Sequence, residues 1–177
     1  MGMFAGAVFI RNEENQSKEA LLEKFSQYMN NNGYIPSDSD SAQRKYCFAF
    51  PDRKWFALVT TEEELPGKGA LCAKAFNAYT AAADLVDDDF IVLELFQPDG
   101  MSIDYEIIGE PYWDEPMFEE DISEWFRFLK EGASEEELSS AVQEDLFDTF
   151  SELIEMDNNP LWLDKDEADV ILYFKKN

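Results

Sequence analysis

The apolar positions of the first hundred residues alternate between short runs and helical stripes. Phe4 to Ile10 is a run of branched and aromatic residues, which predicts a buried strand. Ser17 suits a helix N-cap, and Leu21, Leu22, Phe25, Tyr28 and Met29 then recur at helical spacing. Gly33 supplies the stop, because glycine accepts a positive φ. The polar stretch Ile35 to Lys45 reads as a loop. Tyr46 to Phe50 and Lys54 to Thr61 read as two strands of a hairpin around Pro51-Asp52-Arg53. In the alanine-rich stretch after Leu65-Pro66-Gly67, Cys72, Phe76, Tyr79 and Ala83 lie four, three and four apart, predicting a helix over 68–83. Phe90 to Phe96 is a strand, Gln97-Pro98-Asp99-Gly100 reverses the chain, and Met101 to Ile108 pairs back on it.

This order predicts an α+β fold: a ferredoxin-like βαββαβ core with two helices on one face, extended by a further hairpin strand. From Glu110 onward the pattern changes to a Pro-bounded aromatic loop and two acidic amphipathic helices. Phe118, Ile122, Trp125, Phe126 and Leu129 form the first stripe, which Gly132 ends. Ser134 with Glu137 is a capping box, and Leu138, Ala141, Val142, Leu146, Phe150, Leu153 and Ile154 form the second stripe. Ala168 to Phe174 is expected to return as an edge strand. The whole, 1–177, is expected to be one domain, with a sheet core over 1–109 and an acidic helical extension over 110–177.

Charge sharpens the division. Of 39 acidic and 14 basic side chains, residues 84–177 hold 29 and 5, so nearly all of the net charge of −25 lies in the second half. Such a field repels nucleic-acid phosphates and anionic membrane and attracts basic proteins, so neither nucleic acid nor membrane is an expected partner. The absence of histidine excludes Ser-His-Asp triads and His-ligated metal centres as chemistry of this chain. Cys47 and Cys72 have no ligand spacing and fit packing roles in a reducing compartment. With no basic apolar leader and no long apolar run, the expected location is the cytoplasm.

Asp84 with Asp87, Asp88 and Asp89 gathers carboxylates at the expected end of the second helix. They lack a glycine-centred loop with a distal Glu, and at a helix C-terminus they oppose the dipole. Asp38 with Asp40, and the run from Asp164 to Glu167, lack such a loop too. Gly67-Lys68-Gly69 is too short to cradle phosphate. No catalytic residue, cofactor or metal is assigned.

The partner-binding candidates are Tyr112, Trp113, Asp114 and Glu115, with Glu119, Glu120 and Asp121 following. Two large aromatics between prolines, ringed by carboxylates, suit an anchor for a basic protein; the other reading folds Trp113 onto its own core. The acidic helices from Glu119 to Glu155 and the Tyr112-Trp113 loop resemble, in general character, the immunity proteins that bacteria keep beside their own secreted toxins. That likeness implies a tight inhibitor of a basic, nuclease-like toxin and carries no site residues across. Two further classes stand beside it: a DNA mimic that sets carboxylates in place of phosphates, and a small-ligand-binding domain or carboxylate-based enzyme.

Overall fold

Eight strands make one antiparallel sheet in a computed structural model of the protein, which describes residues 4–110 and 121–177. They are β1 (Ala5–Arg11), β2 (Tyr34–Pro36), β3 (Arg44–Ala49), β4 (Trp55–Thr60), β5 (Thr80–Val86), β6 (Phe90–Phe96), β7 (Ser102–Gly109) and β8 (Val170–Lys176). Their order across the sheet is β2-β8-β3-β4-β1-β5-β6-β7. Helices α1 (Lys18–Asn31) and α2 (Lys68–Phe76) lie on one face. A 3₁₀ helix (Ser123–Phe128) and the short helices α3 (Glu135–Gln143) and α4 (Phe147–Leu153) lie on the other.

Two-residue alternation divides β1 between two cores. Val8 and Ile10 join Phe25, Phe48, Phe56 and Phe76 under α1 and α2. Ala7 and Phe9 join Trp55, Leu93, Trp125, Phe128 and Phe150 under the acidic segment. Because both faces are covered, every residue of β4 is buried, which is why the central strands read as unbroken apolar runs. Phe25 centres the first core, edge-on to Tyr46 at 4.9 Å and Phe48 at 5.0 Å. Burial of each such ring is worth about 1.5–3 kcal/mol.

Several sequence expectations hold. Ser17 caps α1, accepting the Ala20 amide at 3.2 Å, and Gly33 follows the helix at φ +88°. The β3–β4 and β6–β7 hairpins form as expected. The mixed α+β class holds as well, although the sheet is larger than a four-strand core.

Other expectations are overturned. The helix predicted over 68–83 stops at Phe76, where Asn77 turns left-handed at φ +49°, and Thr80–Val86 is strand β5 between β1 and β6. Alanine's helix preference is overridden because this segment pairs with β1 and β6, with Ala81 and Ala83 buried in one core and Ala82 in the other. Asp84 therefore sits within a strand, and Asp87 to Asp89 form the β5–β6 turn, with Asp87 and Asp88 at φ +53° and +61°. The loop expected over 35–45 contains the end of β2 and the start of β3.

The first acidic helix also differs within its described part: it is a single 3₁₀ segment, with Ile122, Trp125 and Phe128 buried at intervals of three. That interval is the period of a 3₁₀ turn, so Phe128 takes the inward position that helical spacing gave to Phe126 and Leu129. The second stripe breaks into α3 and α4 at Asp145, which is left-handed at φ +60°. Finally, β8 lies between β2 and β3, so the short β2 forms that edge of the sheet.

Candidate partner-binding face

The acidic segment begins from residues that must hide an apolar stripe and expose charge. From Asp121 to Asp157 it carries twelve carboxylates and two cations. Leu138 and Ala141 on α3, and Phe150 and Leu153 on α4, turn inward onto the sheet. Ser134 accepts the Glu137 amide at 3.1 Å while Glu137 accepts the Ser134 amide at 2.7 Å, so the predicted capping box closes. Glu135, Glu136 and Glu137 fill the first turn, where the helix dipole favours negative charge. The Ser134 hydrogen bonds hold the Glu137 carboxyl below its usual range.

Polar contacts, two of them on the Ile154 carbonyl and buried, bind this layer to the sheet. The Arg11 guanidinium is nearly enclosed and lies 5.4 Å from the Trp55 ring and 5.6 Å from Phe128. It donates to the Ile154 carbonyl at 2.9 Å and to Glu13 at 2.8 Å. Trp55 Nε1 donates to the same carbonyl at 2.8 Å. Trp125 Nε1 donates to Asp104 at 2.6 Å. Burial raises the Asp104 carboxyl, opposed by its bonds to Trp125 and to Glu106, itself 4% exposed two residues along β7. Asp145 accepts the Gly109 amide at 3.1 Å, and Arg127 stacks on Tyr79 while bonding its hydroxyl and Glu124.

What faces outward is carboxylate. Glu131, Glu135, Glu136, Glu144, Asp145 and Asp148 are exposed. Lys130 and Arg53 both reach Glu152, at 3.4 and 3.3 Å. Beside them a shallow basin of about 370 Å³ is lined by Arg53, Asp148, Glu152, Asp157 and Asn158. No group of three or more metal-ligating side chains occurs among the described residues. A second cleft, of about 250 Å³, opens between the β1–α1 loop and the end of α2, lined by Phe56, Phe76, Arg11, Lys24 and Tyr79. Cys47 and Cys72 are buried; burial pushes the Cys47 thiol up and the Cys72 thiol to about 12, leaving both far from thiolate.

Of the residues singled out in the sequence, Asp121 is exposed at the entrance to the 3₁₀ helix. It accepts the Ser123 amide at 3.0 Å, and its bonds to Ser123 lower its carboxyl, so it stays ionised. Tyr112, Trp113, Asp114, Glu115, Glu119 and Glu120 lie outside the described residues. Among the described residues after Asp121, two exposed apolar side chains were missed: Leu146, 42% exposed at the α3–α4 break, and Trp162, 49% exposed in a 3₁₀ turn (Asn159–Trp162). Leu146 looked like part of a continuous helical stripe. Trp162 sits in the triplet Leu161-Trp162-Leu163, and nothing in three consecutive apolar residues says which one faces water.

No protein-family model matches the chain, no curated protein matches its sequence, and no solved structure matches its fold. Among the described residues no helix is long and apolar enough to cross a membrane.

Proposed function

We propose that this protein is an acidic binding module whose C-terminal layer docks a basic protein, in the manner of an inhibitor or immunity protein, and that it acts in the cytoplasm. The observation that carries this reading is the orientation of that layer. Its apolar stripe, apart from Leu146, packs against the sheet, while carboxylates far in excess of cations face outward. Charge arranged this way steers a cationic partner and can raise association rates 10-fold or more. Tyr112 and Trp113 supply the anchor and Glu119, Glu120 and Asp121 the steering in this reading. The central order β3-β4-β1-β5, with α1 and α2 on one face, is in the same reading a ferredoxin-like unit to which β6, β7, β8 and β2 have been added.

The test is a pull-down from the native cell's lysate at low and high salt. A basic protein recovered at low salt should dissociate faster from Trp113→Ala, whose own melting temperature is unchanged. Neutralising Glu119, Glu120 and Asp121 together should chiefly slow association. If Trp113→Ala merely melts the protein, that anchor is wrong. A DNA mimic would instead release many DNA-binding proteins from DNA.

A further inference from the structure

The described tryptophans fall into two kinds. Trp55 and Trp125 are fully buried, and each indole N–H meets an oxygen, the Ile154 carbonyl and the Asp104 carboxylate. Trp162 is 49% exposed, and among the described residues its side chain makes no hydrogen bond, ring contact or cation contact. A tryptophan left in water forgoes a large burial gain, so a half-exposed ring with no such partner among the described residues offers part of its surface to another molecule.

The backbone that carries the ring is held in place. Its neighbours Pro160 and Leu161 are buried, Leu163 packs against Cys47, Ala49 and Val59, and the Leu163 amide closes the turn on the Pro160 carbonyl at 3.4 Å. Little order remains to be lost on binding. The surrounding chain is anionic: residues 157–169 carry five carboxylates and one ammonium, Lys165, which is tied to Glu64 at 2.7 Å. Asp157, Asp164 and Glu167 accept backbone amides.

We infer that Trp162 is a preformed anchor for an arginine side chain of a basic protein partner, with the guanidinium stacking on the indole inside the field of the flanking carboxylates. Arginine fits better than lysine because its planar cation stacks on a ring and is shed from water more cheaply. This inference rests on the proposal that the partner is basic, and it adds a contact site outside the 112–121 segment.

The experiment uses the full chain and two synthetic peptides of equal length and charge, one arginine-rich and one lysine-rich, titrated at low and high salt. The arginine peptide should bind more tightly than the lysine peptide and blue-shift tryptophan emission. Trp162→Ala should weaken the arginine peptide about three- to five-fold, abolish its advantage and leave the melting temperature in place. Trp162→Phe should keep part of the advantage. If both peptides bind in a salt-sensitive way that ignores Trp162, the anchor is wrong while the acidic-face proposal stands. If neither peptide binds at low salt, both fall.

Discussion

The two faces of the sheet bury comparable apolar cores by different means. Under α1 and α2 the core is an aromatic cluster around Phe25, and the longer covering helix, α1, follows from regular periodicity and a serine cap. Under the acidic layer the cover is broken into short pieces, and side chains stitch it to the sheet: Arg11 and Trp55 to the Ile154 carbonyl, Trp125 to Asp104, Asp145 to Gly109. A segment with so many carboxylates cannot add long, evenly charged helices without self-repulsion. It is held instead by a few polar bonds, and the buried ones among them lose much if one member is removed.

The largest break in that comparison is expected from Trp125→Ala. It removes a fully buried indole and takes the indole donor from Asp104, costing about 3–5 kcal/mol in urea unfolding. Phe25→Ala should cost a similar amount on the other face. If the faces form one cooperative unit, either variant will unfold in a single transition seen alike by fluorescence and circular dichroism. A separate early transition in Trp125→Ala alone would mean that the acidic layer melts independently.

Arg11→Met tests the stitching without opening a large void. It removes the donor to Ile154, strands Glu13 and Glu155 without their cation, and is expected to cost about 2–3 kcal/mol by denaturant titration. Loss below about 0.5 kcal/mol would mean that Arg11 only fills space.

Asp84 gives the α1/α2 side a liability of its own. Burial, with a contribution from Glu62, raises its carboxyl to about 6, so the folded protein holds this proton more tightly than the unfolded chain. Its contribution to stability is fully present below about pH 4 and is lost as pH rises through about 6. Asp84→Asn should therefore stabilise the protein near neutral pH by about 1 kcal/mol, after discounting for a carboxylate partly in water, and flatten that part of the pH profile. An unchanged melting temperature near neutral pH would show the site to be well solvated.

The smallest effect expected is that of Ser134→Ala. Losing the capping box should cost about 0.5–1 kcal/mol and raise amide exchange across α3, while α1, capped by Ser17, keeps its protection. Equal loss of protection in both helices would contradict separate local control of the two faces.

Where local chemistry decides an element, one sequence sufficed. Serine caps, glycine stops and proline-aspartate turns located α1, the two hairpins and the start of α3, because each satisfies backbone groups within a few residues of itself. The excess of carboxylates in the second half was equally legible, as were the packing roles of Cys47 and Cys72.

Tertiary structure decided the rest through contacts distant in sequence. Whether Thr80 to Ala83 is helix or strand depends on β1 and β6 on either side, and β8 joins the sheet interior only because Tyr34 to Pro36 forms a strand outside it. Arg11 becomes a buried clasp through a carbonyl 143 residues away. Trp162 is left in water because Leu161 and Leu163 have already claimed the apolar ground beneath it. Periodicity reports what a segment must bury, and only the assembled partners determine against what, and which side chain is left over.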